Sequence, residues 1–324
     1  MSIQREELTF PSTAGKGQIY GAIFTPTGPV KAVVQFAHGM SDYGGRYQHV
    51  FNYLAEHGYV AAYNDHLGHG KSAAAESDLG FFAPQDGYQK VIGDFNKFYD
   101  ILGAKYPTAP HFVMGHSMGS FIVRNFLASG KSDGAIIMGS GSKNSLAGLG
   151  IFLAGLLSKL QGERHRSRLL AHMAFGTYNK RIEDSDHQWA WLSTEPSAQE
   201  RILEDELRNK LFTTSAFKDL FKLVKYANDA AVIDKTPHNL PLVFISGADD
   251  PLGPYGAGIE GLYKVFQGKG FTNVTRKIIP NARHELCHER PEVQAEVLAF
   301  ILQWLDLQVE TQKNKNLMGR ENER

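Results

Sequence analysis

The chain has 324 residues, enough for one large α/β domain with an insertion or for two domains. Basic and acidic residues are equal in number, 34 each, so the net charge gives no sign of a nucleic-acid-binding surface. One cysteine, Cys287, excludes an intrachain disulfide. Charges near the amino terminus argue against a signal peptide, no apolar run is long enough to span a bilayer, and we therefore expect a cytoplasmic protein.

Short apolar runs alternate with segments of helical periodicity over the first part of the chain. The predicted strands cover residues 18–24, 31–36, 59–63, 111–114 and 134–138. Apolar side chains at helical spacing predict helices around residues 47–54, 91–102 and 120–127. This alternation predicts an α/β fold with a mostly parallel sheet and helices on both faces.

Residues 141–237 break the alternation and are predicted to form an inserted helical cap. Strands at 242–245 and 274–279 and helices at 259–266 and 293–304 then resume the pattern. We therefore divide the chain into a core of residues 1–140 and 238–307, a cap of residues 141–237, and a polar carboxyl-terminal tail. The tail, residues 308–324, is expected to fray.

The pentapeptide Gly115-His116-Ser117-Met118-Gly119 lies between a predicted strand and a predicted helix. Strand, G-x-S-x-G and helix are the context of a nucleophile elbow, a tight turn that exposes a serine hydroxyl above a sheet edge. Glycines flank the serine because the turn brings backbone segments too close for a Cβ atom. Taken alone, the pattern also fits a serine that caps a helix between two turn-forming glycines.

A serine hydroxyl becomes a good nucleophile only when a base takes its proton and a carboxylate orients that base. Asp249 and Asp250 follow the strand at 242–245, and His284 follows the next strand. In parallel sheets the carboxyl ends of strands meet at one edge, where ligands bind. The order serine, acid, histidine therefore predicts a catalytic triad, with either aspartate as its acid.

The residues His284-Glu285-Leu286-Cys287-His288 also match H-E-x-x-H, the zinc-protease pattern. That chemistry needs both histidines on one helix face and a third ligand. Pro291 suits the start of a helix, so we expect the pattern to lie in a loop before that helix. Cys287 has no evident activating partner in the sequence and is expected to be inert.

Several motifs together resemble the α/β-hydrolases of the monoacylglycerol lipase and lysophospholipase group, also described as serine-aminopeptidase-like hydrolases. The resemblance covers nearly all of residues 38–304. Its motifs are His38-Gly39-Met40 with Gly45-Arg46-Tyr47, Asp65-His66-Leu67-Gly68-His69-Gly70-Lys71-Ser72, the elbow pentapeptide, Gly247-Ala248-Asp249-Asp250-Pro251 and His284-Glu285. They are specific for the α/β-hydrolase fold and its triad, and less so for a substrate.

The resemblance implies that Asp250 is the triad acid, with Asp249 as the alternative. It also implies an oxyanion hole formed by the backbone N–H groups of Met40 and Met118. The first N–H groups of a helix lack acceptors within the helix, which agrees with that role for Met118. We expect His38, Asp65, His66 and His116 to brace loops or to pack. No cofactor and no metal is implied.

The leading hypothesis is a serine hydrolase that cleaves carboxylic esters of single-acyl lipids, either monoacylglycerols or lysophospholipids. One alternative is an aminopeptidase-like hydrolase of small amides, for which an acidic cluster would have to bind the free amine. Glu204, Asp205 and Glu206 are candidates, although they also fit a solvated helix face. A second alternative is a non-catalytic ligand receptor on the same fold.

The cap contains an uncharged apolar stretch, residues 146–157, which is interpreted as cap core and as a wall for an acyl chain. A further interpretation is transient contact with a membrane or micelle, with Arg164, Arg166 and Arg168 meeting anionic lipid. The tryptophan-rich segment of the cap (Trp189, Trp191 and Leu192) is expected to stabilise the cap by packing within it and to line the pocket. We expect a small lipid or ester ligand and no nucleic-acid partner; the sequence gives no oligomeric state.

Overall fold

A computed structural model describes residues 3–142, 146–183, 187–208 and 210–322, with side chains described as far as residue 315. Its centre is one eight-stranded sheet in the order β1-β2-β4-β3-β5-β6-β7-β8. The strands are β1 (Ile3–Pro11), β2 (Gln18–Pro26), β3 (Ala32–Ala37), β4 (Tyr59–Asn64), β5 (His111–His116), β6 (Gly134–Met138), β7 (Leu242–Gly247) and β8 (Val274–Ile279).

Strands β3 to β8 pair in parallel, and β1 and β2 join the sheet antiparallel. The mostly parallel sheet predicted from the alternation is therefore confirmed. Strand β1 was not predicted. It lies at the sheet edge with most of its side chains exposed, and its charged residues Arg5, Glu6 and Glu7 lack the alternation of a half-buried strand.

Helices cover both faces of the sheet and bury alternate strand residues in two hydrophobic layers. The helices are α1 (Gln48–Glu56), α2 (Gly87–Lys105), α3 (Met118–Phe126), α4 (Ala147–Gln161), α5 (Arg168–Phe175), α6 (Pro196–Glu204), α7 (Thr214–Ala227), α8 (Ala230–Ile233), α9 (Ala257–Gly268) and α10 (Pro291–Asn322). Val34 and Phe36 of β3 pack in a layer with α1 and α10, whereas Val33 and Ala37 pack in the opposite layer with α2, α3 and α9.

Helices α4 to α8 lie between β6 and β7 in the chain, within the region predicted as a cap. Helix α7 packs on α2 and α3 as well as on α4. Its Phe217, Leu220 and Leu223 share a hydrophobic cluster with Phe121 and Phe126 of α3. This helix therefore joins the inserted region to the helix that begins after Ser117.

Helix α10 continues through Asn322, past residue 308, where the polar carboxyl-terminal tail was predicted to begin. Leu305 and Val309 of α10 are buried in the same hydrophobic layer as the strands. Their burial stabilises the helix beyond residue 307, the predicted end of the core. The glutamate, glutamine and lysine residues that follow are good helix formers. Residues 323 and 324 lie outside the described range. In the described part of the chain, no helix is both long enough and apolar enough to cross a bilayer.

Candidate active site

Ser117 occupies a strained turn between β5 and α3, with φ 54° and ψ −122°. A positive φ is rare for a residue with a side chain and indicates a backbone held by its surroundings. A Cβ atom on Gly115 would lie 2.4 Å from the carbonyl oxygen of Gly119, and one on Gly119 would lie 2.1 Å from that of Ala37. Both flanking glycines are therefore required by close backbone contact, as the elbow interpretation predicts.

His284 and Asp250 form a buried hydrogen-bonded pair. Nδ1 of His284 lies 2.9 Å from Oδ2 of Asp250, and both side chains are almost completely buried. Because a carboxylate only accepts, Nδ1 carries the proton of this hydrogen bond, which leaves Nε2 as the nitrogen that can take up or release a proton. Nε2 has no hydrogen-bond partner among the residues that the structure describes. A neutral imidazole with a free Nε2 is the form that a general base requires.

Asp250 is also fixed by its own turn, because the N–H of Leu252 donates to Oδ1 over 2.8 Å. Burial by itself would raise the pKa of Asp250, but the electrostatic attraction of the His284 imidazole and the hydrogen bond that it donates outweigh burial and hold that pKa below its usual range. Asp249 is exposed. The structure thus brings Asp250, and not Asp249, against the histidine.

The loop after β3 passes beside the elbow. A Cβ atom on Gly39 would lie 3.3 Å from the Cβ atom of Ser117, and Met40 lines the same cavity as the serine. Met118 is the first residue of α3, where backbone N–H groups have no acceptor within the helix. The two backbone segments expected to form an oxyanion hole therefore lie on either side of Ser117.

Three buried histidines brace this loop, here called the oxyanion loop (residues 38–42). Nε2 of His38 accepts from the N–H of His66 over 2.9 Å, and Nε2 of His69 accepts from the N–H of Ser41 over 3.2 Å. Ser41 itself has a positive φ of 50°. The predicted bracing role of His38 and His66 agrees with these contacts, whereas the sequence did not reveal His69.

His116 lies in the network behind the catalytic pair. Its Nε2 donates to the carbonyl oxygen of His284 over 3.0 Å, and its Nδ1 lies 3.1 Å from the Tyr47 hydroxyl. Burial lowers the pKa of His116 to about 4, so the ring is neutral at pH 7. The Tyr47 hydroxyl donates its one proton to Oδ2 of Asp42 over 2.8 Å. The available signal for this network was that Tyr47 belongs to the motif Gly45-Arg46-Tyr47 and that Asp42 lies between it and His38-Gly39-Met40.

Next to His284 lies a buried cluster of four charges, here called the charge cluster (Asp42, Arg46, Arg208 and Glu285). Arg46 pairs with Asp42 at 2.8 Å and with Glu285 at 3.0 Å, and Arg208 from the cap also pairs with Glu285. Burial would raise the pKa of Glu285, but Arg208 and Arg46 hold that pKa well below its usual range. Both carboxylates are therefore ionised, and the cluster has no net charge.

Ser117 lines two neighbouring chambers. The large chamber has a volume of about 550 Å³ and includes His284 and charged residues of the cap. The small chamber has a volume of about 170 Å³. Its described lining has no charged side chain and includes Met118, Phe121, Leu149, Leu220, Val224 and Leu252. Met40 and Phe175 line both chambers together with the serine.

The tryptophan-rich segment of the cap contributes to the wall of the large chamber. Trp191 and Leu192 form a small hydrophobic cluster with Ile202, and Trp189 packs against it. The Trp191 ring centroid lies 5.0 Å from that of His284. The prediction that this segment pins the cap and lines the pocket is therefore confirmed.

The H-E-x-x-H pattern does not lie on a helix. Residues 286–288 form a short 3-10 turn, and α10 begins only at Pro291, as predicted. Nδ1 of His284 is engaged by Asp250, and within the described residues no group of three or more potential ligands is placed to hold a metal ion. Burial raises the pKa of the Cys287 thiol to about 12, so this cysteine is not an activated nucleophile.

The acidic residues considered as an amine site do not line the large chamber. Glu204 and Glu206 are exposed, which agrees with a solvated helix end. Asp205 accepts a hydrogen bond from the Tyr43 hydroxyl over 2.8 Å. The cluster is therefore not brought to Ser117.

An eight-stranded, mostly parallel sheet with an elbow serine and a buried histidine–aspartate pair at its carboxyl edge defines an α/β-hydrolase. Residues 28–291 match the family described as Hydrolase_4: Serine aminopeptidase, S33. The chain belongs to this family of hydrolases.

Curated relatives and a solved structure agree with this assignment. The chain is 24% identical over 288 residues to a monoglyceride lipase homolog of Monkeypox virus, covering 89% of this chain and 94% of that protein. A local match to a monoacylglycerol lipase of Mycolicibacterium smegmatis is 32% identical over 123 residues and covers 38% of this chain and 41% of that protein. A thermostable carboxyl esterase from Bacillus coagulans in complex with glycerol superposes with a TM-score of 0.88 at 25% identity, over 95% of this chain and all of that one.

Proposed function

We propose that this protein is a serine hydrolase that cleaves carboxylic esters of single-acyl lipids through an acyl-enzyme. The observation that carries the proposal is that Ser117 and His284 line one cavity while Asp250 is hydrogen-bonded to that histidine. The chamber without charged lining next to the serine offers room for an acyl chain. The names of the relatives, monoacylglycerol lipase and carboxyl esterase, support the same substrate class.

In the proposed reaction, Oγ of Ser117 attacks the ester carbonyl carbon while Nε2 of His284 takes the hydroxyl proton. Asp250 keeps the remaining imidazole proton on Nδ1 and stabilises the imidazolium. The tetrahedral intermediate then collapses, the ester C–O bond breaks, and the imidazolium gives its proton to the leaving alcohol. Water repeats the sequence on the acyl-enzyme and releases the carboxylic acid.

The negative charge of the tetrahedral oxygen would be stabilised by the backbone N–H groups of Met40 and Met118. Such donors act strongly because they are oriented before the reaction and lie in a site with little water. The loop's carbonyl oxygen at His38 accepts from Nε2 of His66, and its N–H at Ser41 donates to Nε2 of His69; these hydrogen bonds hold the Met40 segment in place.

The size of the small chamber favours a short or medium acyl chain. An engineered apolar cavity of about 150 Å³ holds one benzene molecule, so a chamber of similar volume holds roughly six to eight carbons. The alcohol portion would then occupy the large chamber, which contains Gln188, Lys210 and Arg168. A longer acyl chain would have to extend past Leu149 and Met173, which are half exposed at the edge of the small chamber.

Transient contact with a lipid surface is part of this proposal. Leu149, Phe152, Leu156 and Leu160 recur at helical spacing on α4 and are all exposed. Because Leu149 also lines the small chamber, an acyl chain could pass from a membrane or micelle along this face towards Ser117. Sedimentation with phosphatidylcholine vesicles tests the contact; Leu149→Ser with Phe152→Ser should reduce binding, and equal binding would remove this part of the proposal.

The central test is an activity panel of p-nitrophenyl esters, monoacylglycerols and lysophospholipids of increasing chain length, with Ser117→Ala as the blank. We expect hydrolysis by the wild type, none by the blank, and labelling of Ser117 by a fluorophosphonate probe. Retained turnover in a folded Ser117→Ala variant would overturn the serine mechanism. Aminoacyl amides are assayed beside the esters, because faster amide cleavage would favour the aminopeptidase alternative.

The same panel addresses the remaining alternatives. Tight lipid binding with no labelling of Ser117 would favour a receptor over an enzyme. A chelator should leave ester hydrolysis unchanged, because Asp250 occupies the Nδ1 atom of His284 and the H-E-x-x-H residues do not share a helix face. Loss of activity that stoichiometric zinc restores would contradict the serine mechanism.

A further inference from the structure

The loop that carries His284 is held by the cap as well as by the core. The N–H of Glu285 donates to the carbonyl oxygen of Leu192 over 2.6 Å. The guanidinium of Arg283 donates to the carbonyl oxygen of Ala190 over 2.7 Å. The residues on either side of the histidine are therefore anchored on the tryptophan-rich segment of the cap.

The charge cluster beside this loop is balanced only by a cap residue. Two of its members are carboxylates, Asp42 and Glu285, and the core supplies a single guanidinium, Arg46. Arg208 is the second cation, and its side chain is 6% exposed, against 3% for Glu285. Without Arg208 the three core residues would retain one uncompensated negative charge, one residue away from His284.

An unpaired charge in such a position is costly, because burial removes the water that would otherwise solvate it. The cost is relieved either by protonation of Glu285 or by movement of Glu285 towards solvent, and such a movement would displace the adjacent histidine. A displacement of about 1 Å is enough to cost up to about a hundredfold in rate.

Two residues close to Arg208 in the chain contact the oxyanion loop and the residue that follows it. The carbonyl oxygen of Lys210 accepts a hydrogen bond from the Ser41 hydroxyl over 2.7 Å. The carboxylate of Asp205 accepts one from the Tyr43 hydroxyl over 2.8 Å. Ser41 directly follows Met40, so the same part of the cap contacts the oxyanion loop and the histidine loop.

We propose that Arg208 is a positioning residue: it neutralises Glu285 and thereby keeps the loop of His284 in its working geometry when the cap is in place. The inference rests on the proposed serine hydrolysis. On this proposal, the positive charge of Arg208 is needed for activity only because Glu285 carries a negative charge. Removing both charges should therefore harm the enzyme less than removing the arginine alone.

The experiment compares Arg208→Gln, Arg208→Lys and the double variant Arg208→Gln with Glu285→Gln. The control is Lys222→Gln, because Lys222 of α7 also joins the inserted region to the core, through an ion pair with Asp86 at 2.8 Å, but lines neither chamber. Each full-length variant is assayed for kcat and KM on p-nitrophenyl butyrate, and circular dichroism checks folding.

Arg208→Gln should lower kcat between about tenfold and a hundredfold with little change in KM. Arg208→Lys, which keeps the charge but loses the planar fork, should retain more activity. The double variant should be faster than Arg208→Gln, and Lys222→Gln should match the wild type. A double variant no faster than Arg208→Gln, or an Arg208→Gln variant as active as the control, overturns the inference.

If Arg208→Gln fails to fold, the double variant and Arg208→Lys decide the question. A folded double variant with kcat at or above that of Arg208→Lys supports neutralisation, and one that is unfolded or slower than Arg208→Lys contradicts it. Failure of this inference is separate from failure of the proposed function, which would appear as turnover by Ser117→Ala.

Discussion

Oδ2 of Asp250 lies 2.9 Å from Nδ1 of His284, whereas the adjacent carboxylate of Asp249 is exposed. The two aspartates provide a matched pair of substitutions. Asp250→Asn should lower kcat by several orders of magnitude, about 10⁴-fold in a well-studied serine protease, because an amide can hold the imidazole in the wrong tautomer.

Asp249→Asn should leave kcat close to that of the wild type, since no contact with the histidine is lost. Steady-state hydrolysis of p-nitrophenyl butyrate, with thermal unfolding as a check on folding, separates the two variants. The opposite ranking would assign the acid to Asp249.

The two aspartates also show what the sequence could and could not predict. Alternation of apolar runs predicted the parallel sheet, and the order of motifs placed Ser117 and His284 at strand ends. The choice between neighbouring acids depends on a turn in which Leu252 caps one carboxylate, and only coordinates reveal that geometry.

Contacts between residues that are far apart in the sequence could not be predicted either. The Arg208–Glu285 pair spans 77 positions and the Tyr47–His116 contact spans 69, so no local pattern indicates either one. Strand β1 was missed because Arg5, Glu6 and Glu7 remain exposed at the sheet edge, where periodicity carries little signal. Core periodicity is thus readable from sequence, whereas the partners of buried polar groups are not.

Gly119 is the position where the elbow tolerates a side chain least. An added Cβ atom would lie 2.1 Å from the carbonyl oxygen of Ala37, and backbone atoms cannot rotate away. Gly119→Ala should therefore lower the free energy of unfolding by about 1–3 kcal/mol or more and abolish ester hydrolysis.

Gly103→Ala is the control for this variant, because Gly103 lies in α2 with nothing within 4 Å of an added Cβ atom. It should be neutral or stabilising by roughly 0.5–1 kcal/mol. Urea denaturation of both variants checks the prediction, and an equally stable, active Gly119→Ala protein would contradict the elbow geometry.

His111 should make stability depend on pH. It is buried with both ring nitrogens unpartnered among the described residues, and its ring stacks on Tyr99 with centroids 3.8 Å apart. Burial lowers the pKa of His111 to about 3. In the unfolded chain His111 becomes protonated as the pH falls below about 6.5, whereas in the folded chain it stays neutral until about pH 3. The free energy of unfolding therefore decreases as the pH falls from about 6.5 towards 3.

His111→Phe keeps the stacking and removes this titration. Relative to the wild type, the variant should gain up to about 2 kcal/mol in free energy of unfolding between pH 7.5 and pH 5. Urea denaturation at both pH values measures the difference. An identical pH dependence in the two proteins would show that His111 finds a partner or water in solution.

Val224 should control the length of the acyl group. It lines the small chamber, whose volume is about 170 Å³, and a larger side chain there would fill much of that space. Val224→Phe should shift the preferred p-nitrophenyl ester to an acyl chain shorter by about two to three carbons. The larger side chain occupies volume in the small chamber that the acyl chain would otherwise fill. Acetate hydrolysis should be nearly unchanged because the serine and the histidine loop are not contacted.

Val265→Phe on α9 is the matched control, because this valine is 42% exposed and lines neither chamber. Values of kcat/KM for acetate, butyrate, hexanoate, octanoate and decanoate esters define the optimum for each protein. The control should keep the wild-type optimum. If Val224→Phe also keeps it, the acyl chain occupies the large chamber, and the assignment of the two chambers must be exchanged.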